Sequence, residues 1–187
     1  MKTMTDRAAP PFRVGHGYDL HRLEPTAPRG RGRPFVLGGV AFPDHPTGPA
    51  AHSDGDALLH AITDAILGAL GEPDIGRLFP DNDPVNAGRD SADFLREAVR
   101  RMRAAAYELG NLDATVICEK PKIGPRRDAI VENLAALIGC DRSRLNVKGK
   151  THEQVDAVGE GRAVEVHVAA LLIRLGSTQG DTRRHGG

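Results

Sequence analysis

The clearest pattern of apolar and polar positions runs from residue 54 to about residue 70. Its apolar residues recur at intervals of three and four: Leu58, Ile62, Ala65, Ile66 and Ala69. This spacing predicts an amphipathic helix with one face turned toward a core. Ser53, followed by Asp56 three residues later, resembles a capping box and places the helix start directly after Ser53.

The other apolar segments predict strands and helices in alternation. Extended segments are predicted at 13–20, near 35–42, at 111–119 and at 145–150, and helices at about 91–106 and about 125–138. The last segment, 164–175, alternates like a strand at its start and could be helical afterwards. Residues 25–34, with arginines between glycines, predict a surface loop whose basic cluster is a solvated insertion. The alternation predicts an α/β or α+β sandwich.

Length and composition predict one enzyme-sized domain. The 187 residues suit a single domain over 12–176, and the polar or Pro/Gly-rich segments 1–11 and 177–187 are predicted to be disordered tails. The 25 basic and 25 acidic residues balance, aromatics make up 4% and tryptophan is absent, which argues against a nucleic-acid partner. With no apolar run of transmembrane length and no apolar signal core, we expect a cytoplasmic protein without a membrane partner.

Asp19 and His21 predict part of a metal site. They stand two residues apart in a predicted strand, so their side chains point to one face. His60 in the predicted helix can supply a third ligand. Three protein ligands with an open fourth position are typical of catalytic zinc, whereas structural zinc usually has four ligands that include thiolates. The chain has only Cys118 and Cys140, so closure by sulfur is not expected.

The surroundings of His60 allow two interpretations. Asp56, His60 and Asp64 follow at four-residue steps and predict one polar stripe on the helix. His52, Ser53 and the amides of the first helical turn predict a phosphate site ahead of this stripe. In the alternative, His60 is a helix histidine bonded to a neighbouring carboxylate, Ser53 is only a cap, and the Asp-x-His pair is a chance spacing.

Three further segments place polar groups at predicted element boundaries. Residues 74–84 form an acidic, proline-rich loop that suits the hydroxyls of a polyol or caps the next helix. Residues 119–125 offer backbone groups for a base edge and lysines for phosphate, or form an ordinary strand-to-helix turn. Residues 146–153 bring a cation, a hydroxyl and a carboxylate to a strand end, which suits a metal-bound diphosphate or a solvated end.

Ordered motifs over about residues 12–175 resemble the 2-C-methyl-D-erythritol 2,4-cyclodiphosphate synthase family of the non-mevalonate isoprenoid pathway. They are Gly-His-Gly-Tyr-Asp-Leu-His at 15–21, Leu-Gly-Gly-Val at 37–40, His-Ser-Asp-Gly-Asp at 52–56 with His60, Asp-Ile-Gly at 74–76, Phe-Pro-Asp-Asn-Asp at 79–83, Pro-Lys at 121–122 and Asn-Val-Lys at 146–148. The resemblance implies a phosphorus-oxygen lyase. Its reaction converts 4-diphosphocytidyl-2-C-methyl-D-erythritol 2-phosphate into the cyclic diphosphate and CMP.

The resemblance also implies a role for each matching residue. Asp19, His21 and His60 match zinc ligands, and Glu153 matches the carboxylate that holds a magnesium or manganese ion bridging the diphosphate. His52 and Thr151 match the pair that positions and stabilises the transition state. Substrate contacts are implied for Ser53, Asp56, Asp74, Ile75, Gly76, Phe79, Pro80, Asp81, Asn82, Asp83, Cys118, Glu119, Lys120, Pro121, Lys122, Ile123, Gly124, Lys150 and His152.

The implied fold is an α+β, ferredoxin-like α/β sandwich subunit in a homotrimer, with active sites between neighbouring subunits. The implied mechanism is attack of the anionic 2-phosphate on the β-phosphorus without a strong base. The chain departs from the family pattern at Lys150, where a hydroxyl is common, and at Glu160 and Arg162, whose exchanged charges are expected to preserve a salt bridge. A metal-dependent phosphohydrolase and a trimeric binding protein without turnover remain alternative functions.

Overall fold

The computed structural model describes residues 10–80, 83, 86 and 88–176. Of the tails predicted at 1–11 and 177–187, all but residues 10 and 11 lie outside these residues. The helices of the described part are α1 Ala57–Leu70, α2 Ile75–Leu78, α3 Ser91–Ala104, α4 Arg127–Ile138 and α5 Asp156–Gly159. Its strands are β1 Phe12–Pro25, β2 Val36–Leu37, β3 Val40–Ala41, β4 Thr47–Pro49, β5 Tyr107–Ile117, β6 Leu145–Lys150 and β7 Ala163–Arg174. None of these helices is long and apolar enough to span a bilayer.

The main sheet has the strand order β4-β1-β7-β5-β6 within the described residues. β7 lies antiparallel between β1 and β5, whereas β5 and β6 are parallel and are connected through α4. The mixed α+β class is therefore confirmed. The ferredoxin-like subunit is not, because that fold follows a β-α-β-β-α-β order. Here the second and third long strands pair in parallel across a helix, and the last strand returns to the middle of the sheet.

One face of the sheet carries the helices, and β1 meets α1 there with almost no space between the backbones. α1 packs against β1 and β7, α3 packs against α1, and α4 lies beside β6. A Cβ placed on Gly15 would lie 1.8 Å from the carbonyl oxygen of Ala65, and one on Gly17 would lie 1.8 Å from that of Ala61. Side chains at these two positions would separate the helix from the strand, so glycine is required for this packing.

Most predicted elements are confirmed with shifted ends. The strand at 145–150 is found as predicted, and the ambiguous segment 164–175 is the strand β7. The single strand near 35–42 was wrong: the chain forms the short hairpin β2-β3, which turns at Gly38 and Gly39 with φ values of 59° and 73°. Glycine adopts this left-handed conformation without the steric penalty of a side chain.

The predicted start of α1 was also wrong. Asp56 is its N-cap, and the Asp56 carboxylate accepts hydrogen bonds from the amides of Leu58 and Leu59. Ser53 therefore lies outside the helix. Two of the first-turn amides that were expected to bind phosphate are already bonded to this buried carboxylate, so they are not available to an anion.

The loop pattern predicted that Arg33 belongs to a solvated basic insertion. The structure shows instead that its side chain is hydrogen-bonded to the backbone. Its Nε donates to the carbonyl oxygen of Ala51 at 2.9 Å, and its guanidinium NH2 donates to that of His52 at 3.0 Å. The amide of Gly88 donates to the same His52 oxygen at 2.9 Å. The side chain of Arg33 therefore fixes the backbone that carries His52.

The other face of the sheet carries exposed apolar side chains. Phe12, Val14, Tyr18 and Leu20 of β1 are between 44% and 69% exposed in the single chain. In register with β1, the outward face of β7 places Leu171 beside Val14 and Ile173 beside Phe12. A cluster of exposed apolar side chains on a sheet face is typical of a protein-protein interface.

The exchanged charges near the carboxyl end form the expected salt bridge. Arg162 Nε donates to Glu160 Oε2 at 2.7 Å, and Arg162 NH2 lies 2.6 Å from the same oxygen. Both side chains are more than half exposed, so the pair contributes little to stability. It does orient the turn between α5 and β7.

Candidate metal centre and adjacent cavities

The three predicted metal ligands converge at the end of β1. Asp19 Oδ2 lies 3.0 Å from His60 Nδ1 and 3.2 Å from His21 Nε2, and the two ring nitrogens are 3.1 Å apart. Asp19 and His21 project from the helix-covered face because both pair with inward-facing residues of β7. His60, in the first turn of α1, approaches these two side chains from the helix layer. Three donor atoms at nearly equal separations thus face one point.

This donor set fits a zinc ion. Tetrahedral zinc with bonds of 2.0–2.1 Å to nitrogen and oxygen separates its ligand atoms by about 3.3 Å, close to the separations of 3.0–3.2 Å found here. Two neutral imidazoles and one carboxylate leave a bound dication with a net charge of about +1. A site of this charge attracts an anion to its open position.

His60 lies between this carboxylate and the hydrophobic core, with its ring only partly exposed. Burial opposes protonation of the imidazole, but the hydrogen bond to the Asp19 carboxylate and the charges of nearby carboxylates outweigh it and raise the pKa of His60. His60 Nε2, on the far side of the ring, lies 2.8 Å from Ser91 Oγ and 3.3 Å from Ser53 Oγ. Both ring nitrogens therefore have polar neighbours.

A cavity of about 340 Å³ opens beside the three ligands. Phe79 and Phe94 form an apolar wall, with ring centroids 4.6 Å apart. The cavity is lined by Asp19, His21, Ala50, Ala51, His52, Ser53, His60, Ile75, Gly76, Phe79, Asn86 and Phe94. The structure thus brings the predicted zinc ligands together with His52, Ser53 and part of the predicted polyol segment.

Asp56 does not belong to this cavity, which corrects the expectation that it contacts substrate. Its side chain is fully buried, and its carboxylate accepts four backbone hydrogen bonds, from Gly38, Gly39, Leu58 and Leu59. All of these donors are protein amides. Asp56 therefore joins the β2-β3 hairpin to the start of α1 and has a structural role.

The predicted polyol segment begins with the short helix α2, which was not expected. Asp74 is its N-cap, and the amide of Ile75 donates to Asp64 Oδ1 at 2.8 Å. Burial raises the pKa of Asp64. Pro80 is exposed and Asp83 follows as an exposed residue, whereas Asp81 and Asn82 lie outside the described residues. Asp64 thus sets the position of the segment that reaches the cavity.

A second cavity of about 470 Å³ lies where β5 and β6 end. It is lined by Cys118, Lys122, Ile123, Gly124, Pro125, Gly149, Lys150 and Thr151. Burial raises the pKa of the Cys118 thiol to about 12, and the thiol donates to the carbonyl oxygen of Lys120 at 2.7 Å. Cys118 is therefore a neutral wall of this cavity.

Glu119 holds the loop beside this cavity, since its carboxylate accepts the amide of His152 at 3.0 Å. Thr151 Oγ1 donates to Glu153 Oε1 at 3.0 Å, and Glu153 has a φ of 51°, a strained value for a residue with a side chain. His152 Nδ1 lies 3.0 Å from Asp156. Pro121 lines a smaller neighbouring cavity with Phe42 and Arg126, and Lys120 is exposed.

The cavity beside the metal ligands and the second cavity have no lining residue in common within the described chain. Across the sheet, Asp19 pairs with Val166, Val166 with Val116, and Val116 with Gly149. Three strand spacings therefore separate the metal ligands from the second cavity, a distance of about 14 Å. The described chain therefore places His52 and Thr151 in different cavities.

The sequence patterns missed several residues that shape the first cavity. Phe94, Asn86 and Ser91 come from α3 and the turn before it, and Arg33 and Asp54 hold the segment around His52. Each of them resembles an ordinary core, turn or cap residue in the sequence. A local signal for their role is absent because their partners lie far along the chain.

Comparison with known proteins gives consistent matches. Residues 12–173 match the model of the YgbB family. The chain is 57% identical over 164 residues to the chloroplastic 2-C-methyl-D-erythritol 2,4-cyclodiphosphate synthase of Oryza sativa subsp. japonica, with 88% of this chain and 71% of the relative covered. It is 51% identical over 164 residues to the synthase of Azoarcus sp. (strain BH72), with 88% and 97% covered. The structure of IspF from Plasmodium falciparum in complex with CDP matches with a TM-score of 0.77 and 39% identity, covering 90% of this chain and 99% of that one.

Proposed function

The chain belongs to the YgbB family, and we infer from this membership and from the converging metal ligands that it is a cyclodiphosphate synthase of isoprenoid biosynthesis. It is a phosphorus-oxygen lyase that converts 4-diphosphocytidyl-2-C-methyl-D-erythritol 2-phosphate into 2-C-methyl-D-erythritol 2,4-cyclodiphosphate and CMP. The observation that carries this function is the convergence of Asp19, His21 and His60 in a cavity that also contains His52 and Ser53. Relatives that bear this activity in their names share about half of the sequence.

Asp19, His21 and His60 would hold zinc, and Glu153 would hold a magnesium or manganese ion together with the substrate diphosphate. A single exposed carboxylate fits the second ion, because magnesium is commonly bound through one or two carboxylates and substrate phosphates. When bound, the two dications would polarise the phosphoryl oxygens as Lewis acids and offset the charge of the anionic substrate.

The chemical step needs positioning more than proton transfer. An oxygen of the 2-phosphate forms a bond to the β-phosphorus, the bond from that phosphorus to the bridging oxygen breaks, and CMP leaves with the electron pair. The attacking oxygen is already ionised at neutral pH, so no strong base is required. His52, whose backbone is held by Arg33 and Gly88, and Ser53 would orient the reacting groups at the cavity wall.

The first cavity would receive the methylerythritol phosphate. The segment 74–76 and Phe79 enclose the space beside the zinc ligands, and Asp64 holds that segment through the amide of Ile75. Hydroxyl groups of the sugar chain would meet polar atoms of this segment, and Phe79 would cover the apolar side. We propose that Asp81 and Asn82, which follow this segment in the sequence, also contact the methylerythritol phosphate.

The second cavity would receive the cytidine and its diphosphate. Lys122 and Lys150 bring positive charge to its wall, Glu119 fixes the backbone at His152, and Thr151 stands beside Glu153. Backbone groups over 118–124 suit the edge of a base. A solved relative, matching with a TM-score of 0.76 and 41% identity, contains CDP in its bound form.

The complete site would form between subunits of a homotrimer. Within one subunit, the residues proposed for the two halves of the substrate line separate cavities about 14 Å apart across the sheet. The apolar outward face around Phe12, Val14 and Leu171 supplies a surface for assembly. We propose that residues 12–176 form a single cyclodiphosphate synthase domain, and that the protein acts in the cytoplasm.

Mixing two inactive variants tests the shared site. Trimers assembled from equal amounts of His60→Ala and Thr151→Ala should recover about one quarter of the wild-type activity, because a random quarter of the interfaces joins two intact halves. Each variant alone should stay inactive. The measurement is turnover after co-refolding, with each variant refolded alone as the control. If mixed trimers of confirmed composition recover no activity, both halves of the active site lie in one subunit.

Phosphorus NMR of the purified protein with the cytidyl-diphosphate substrate and magnesium tests the activity itself. We expect cyclic diphosphate and CMP, and loss of both signals when a chelator removes the metals. Release of inorganic phosphate instead would favour a metal-dependent phosphohydrolase. Unchanged substrate with folded, metal-loaded protein would favour a binding protein.

A further inference from the structure

Ser91, the first residue of α3, contacts the metal ligand His60 on the side that faces away from the metal. Its Oγ lies 2.8 Å from His60 Nε2, whereas His60 Nδ1 faces Asp19 and His21. Ser91 is fully buried, so water does not compete for this hydrogen bond. The direction of the Ser91 hydroxyl therefore decides whether His60 Nε2 donates or accepts this hydrogen bond.

Asp54 sets the direction of that hydroxyl. Asp54 Oδ1 is in close hydrogen-bond contact with Ser91 Oγ, and Asp54 Oδ2 accepts the amide of Ser91 at 3.1 Å. An ionised carboxylate only accepts hydrogen bonds, so the hydroxyl of Ser91 must donate to Asp54. The lone pairs of Ser91 Oγ are then left to accept a hydrogen bond from His60 Nε2. When the neutral ring donates from Nε2 in this way, the lone pair of Nδ1 is available to a metal ion.

The Asp54-Ser91 pair is itself held in place. The amide of Asp54 donates to the carbonyl oxygen of Arg89 at 3.1 Å, and the amide of Asp56 donates to Asp54 Oδ1 at 3.1 Å. These bonds join the loop before α1 to the start of α3. Ser53 Oγ, the other hydroxyl near His60 Nε2, lies farther away at 3.3 Å and accepts the amide of Gly55. Ser91 is therefore the better placed partner of the His60 ring.

We propose that Ser91 and Asp54 are positioning residues for the metal centre, which fix the tautomer and the ring orientation of His60. Metal-bound histidines are commonly oriented by a hydrogen bond from their second nitrogen, and loss of that partner weakens metal affinity about 10–100-fold. The inference rests on the metal site proposed above. It assigns to Asp54 and Ser91 a role that their positions as loop and helix-start residues do not indicate.

Metal titration of Ser91→Ala tests this role, with Zn²⁺ and Co²⁺ as the probes. We expect the variant to bind both ions about 10–100-fold more weakly than the wild type and to show an altered Co²⁺ absorption spectrum. A merely structural role would lower the melting temperature without these changes.

Thr63→Val is the matched control. Thr63 is also buried, lies three residues after His60 on α1, and donates its hydroxyl only to the carbonyl oxygen of Leu59 at 2.7 Å. Its replacement should leave the metal affinity and the Co²⁺ spectrum unchanged. Ser91→Cys keeps a side chain of similar size with a poor acceptor, and it carries the test if Ser91→Ala fails to fold.

The outcomes separate this inference from the proposed function. A wild-type protein that binds neither ion would overturn the metal site itself. A wild-type protein that binds both ions, together with folded Ser91 variants of equal affinity and identical spectrum, would overturn the positioning role alone. Weaker binding by the Ser91 variants, but not by Thr63→Val, would support it.

Discussion

Replacing His60 with alanine should lower turnover of the cytidyl-diphosphate substrate by at least about 1,000-fold and abolish stoichiometric zinc binding. His60 Nδ1 is one of three donor atoms that face the same point, and the other two cannot surround an ion alone. The loss corresponds to about 4 kcal/mol of transition-state stabilisation. The measurements are metal content after dialysis and the initial rate of CMP formation.

The His60→Ala variant should still fold, because its ring is partly exposed to the cavity and its removal leaves α1 in place. Thr63→Val, one turn farther along the same helix, should retain the activity and the metal. A melting temperature within a few degrees of the wild type would show that the lost activity comes from the site. Wild-type turnover by metal-free His60→Ala would contradict the role of the metal centre.

Replacing Gly17 with alanine should lower the free energy of unfolding by more than about 3 kcal/mol. The new Cβ would lie 1.8 Å from the Ala61 carbonyl oxygen and 2.9 Å from the Ala65 amide nitrogen, which belong to helix backbone and cannot move aside like a side-chain end. α1 would have to move away from β1. Because His60 precedes Ala61, the same movement would separate the metal ligands.

Thermal unfolding and zinc titration of Gly17→Ala measure both effects. We expect a melting temperature lower by roughly 6–12 °C and weakened zinc binding. Gly68→Ala is the matched control, since its Cβ would meet the His16 carbonyl oxygen at an ordinary 3.8 Å and alanine favours a helix. It should be neutral or stabilising. Equal stability of both variants would show that the contact between β1 and α1 is looser than the structure indicates.

The metal ligands were predictable from the sequence because their geometry is largely local. A strand repeats its side-chain direction every two residues, so Asp19 and His21 had to share a face. His60 lay on a helix whose apolar period was clear, which restricted the directions available to its ring. The structure brings these three side chains together as expected.

The residues that hold the site residues in position were not predictable in the same way. Ser91 and Asp54 are 37 residues apart, and Arg33 reaches the backbone of His52 from 19 residues away. The sequence pattern predicted Ser53 as the cap of α1, with Asp56 as its partner three residues later, whereas Asp56 is the cap in the structure. Burial of Asp56 between the β2-β3 hairpin and α1 decides between them, because a buried carboxylate requires the four amides that only this packing supplies.

The sequence by itself determined the helical and extended segments, the three metal ligands and the mixed α+β class, because these follow from periods of two and 3.6 residues and from residue chemistry. The tertiary structure alone decided the strand order, the separation of the two cavities and the partners of His60. Local patterns leave these open, since β7 can pair with any strand whose face is apolar. The order with β7 between β1 and β5 is specified by contacts between residues at least 48 positions apart in the chain.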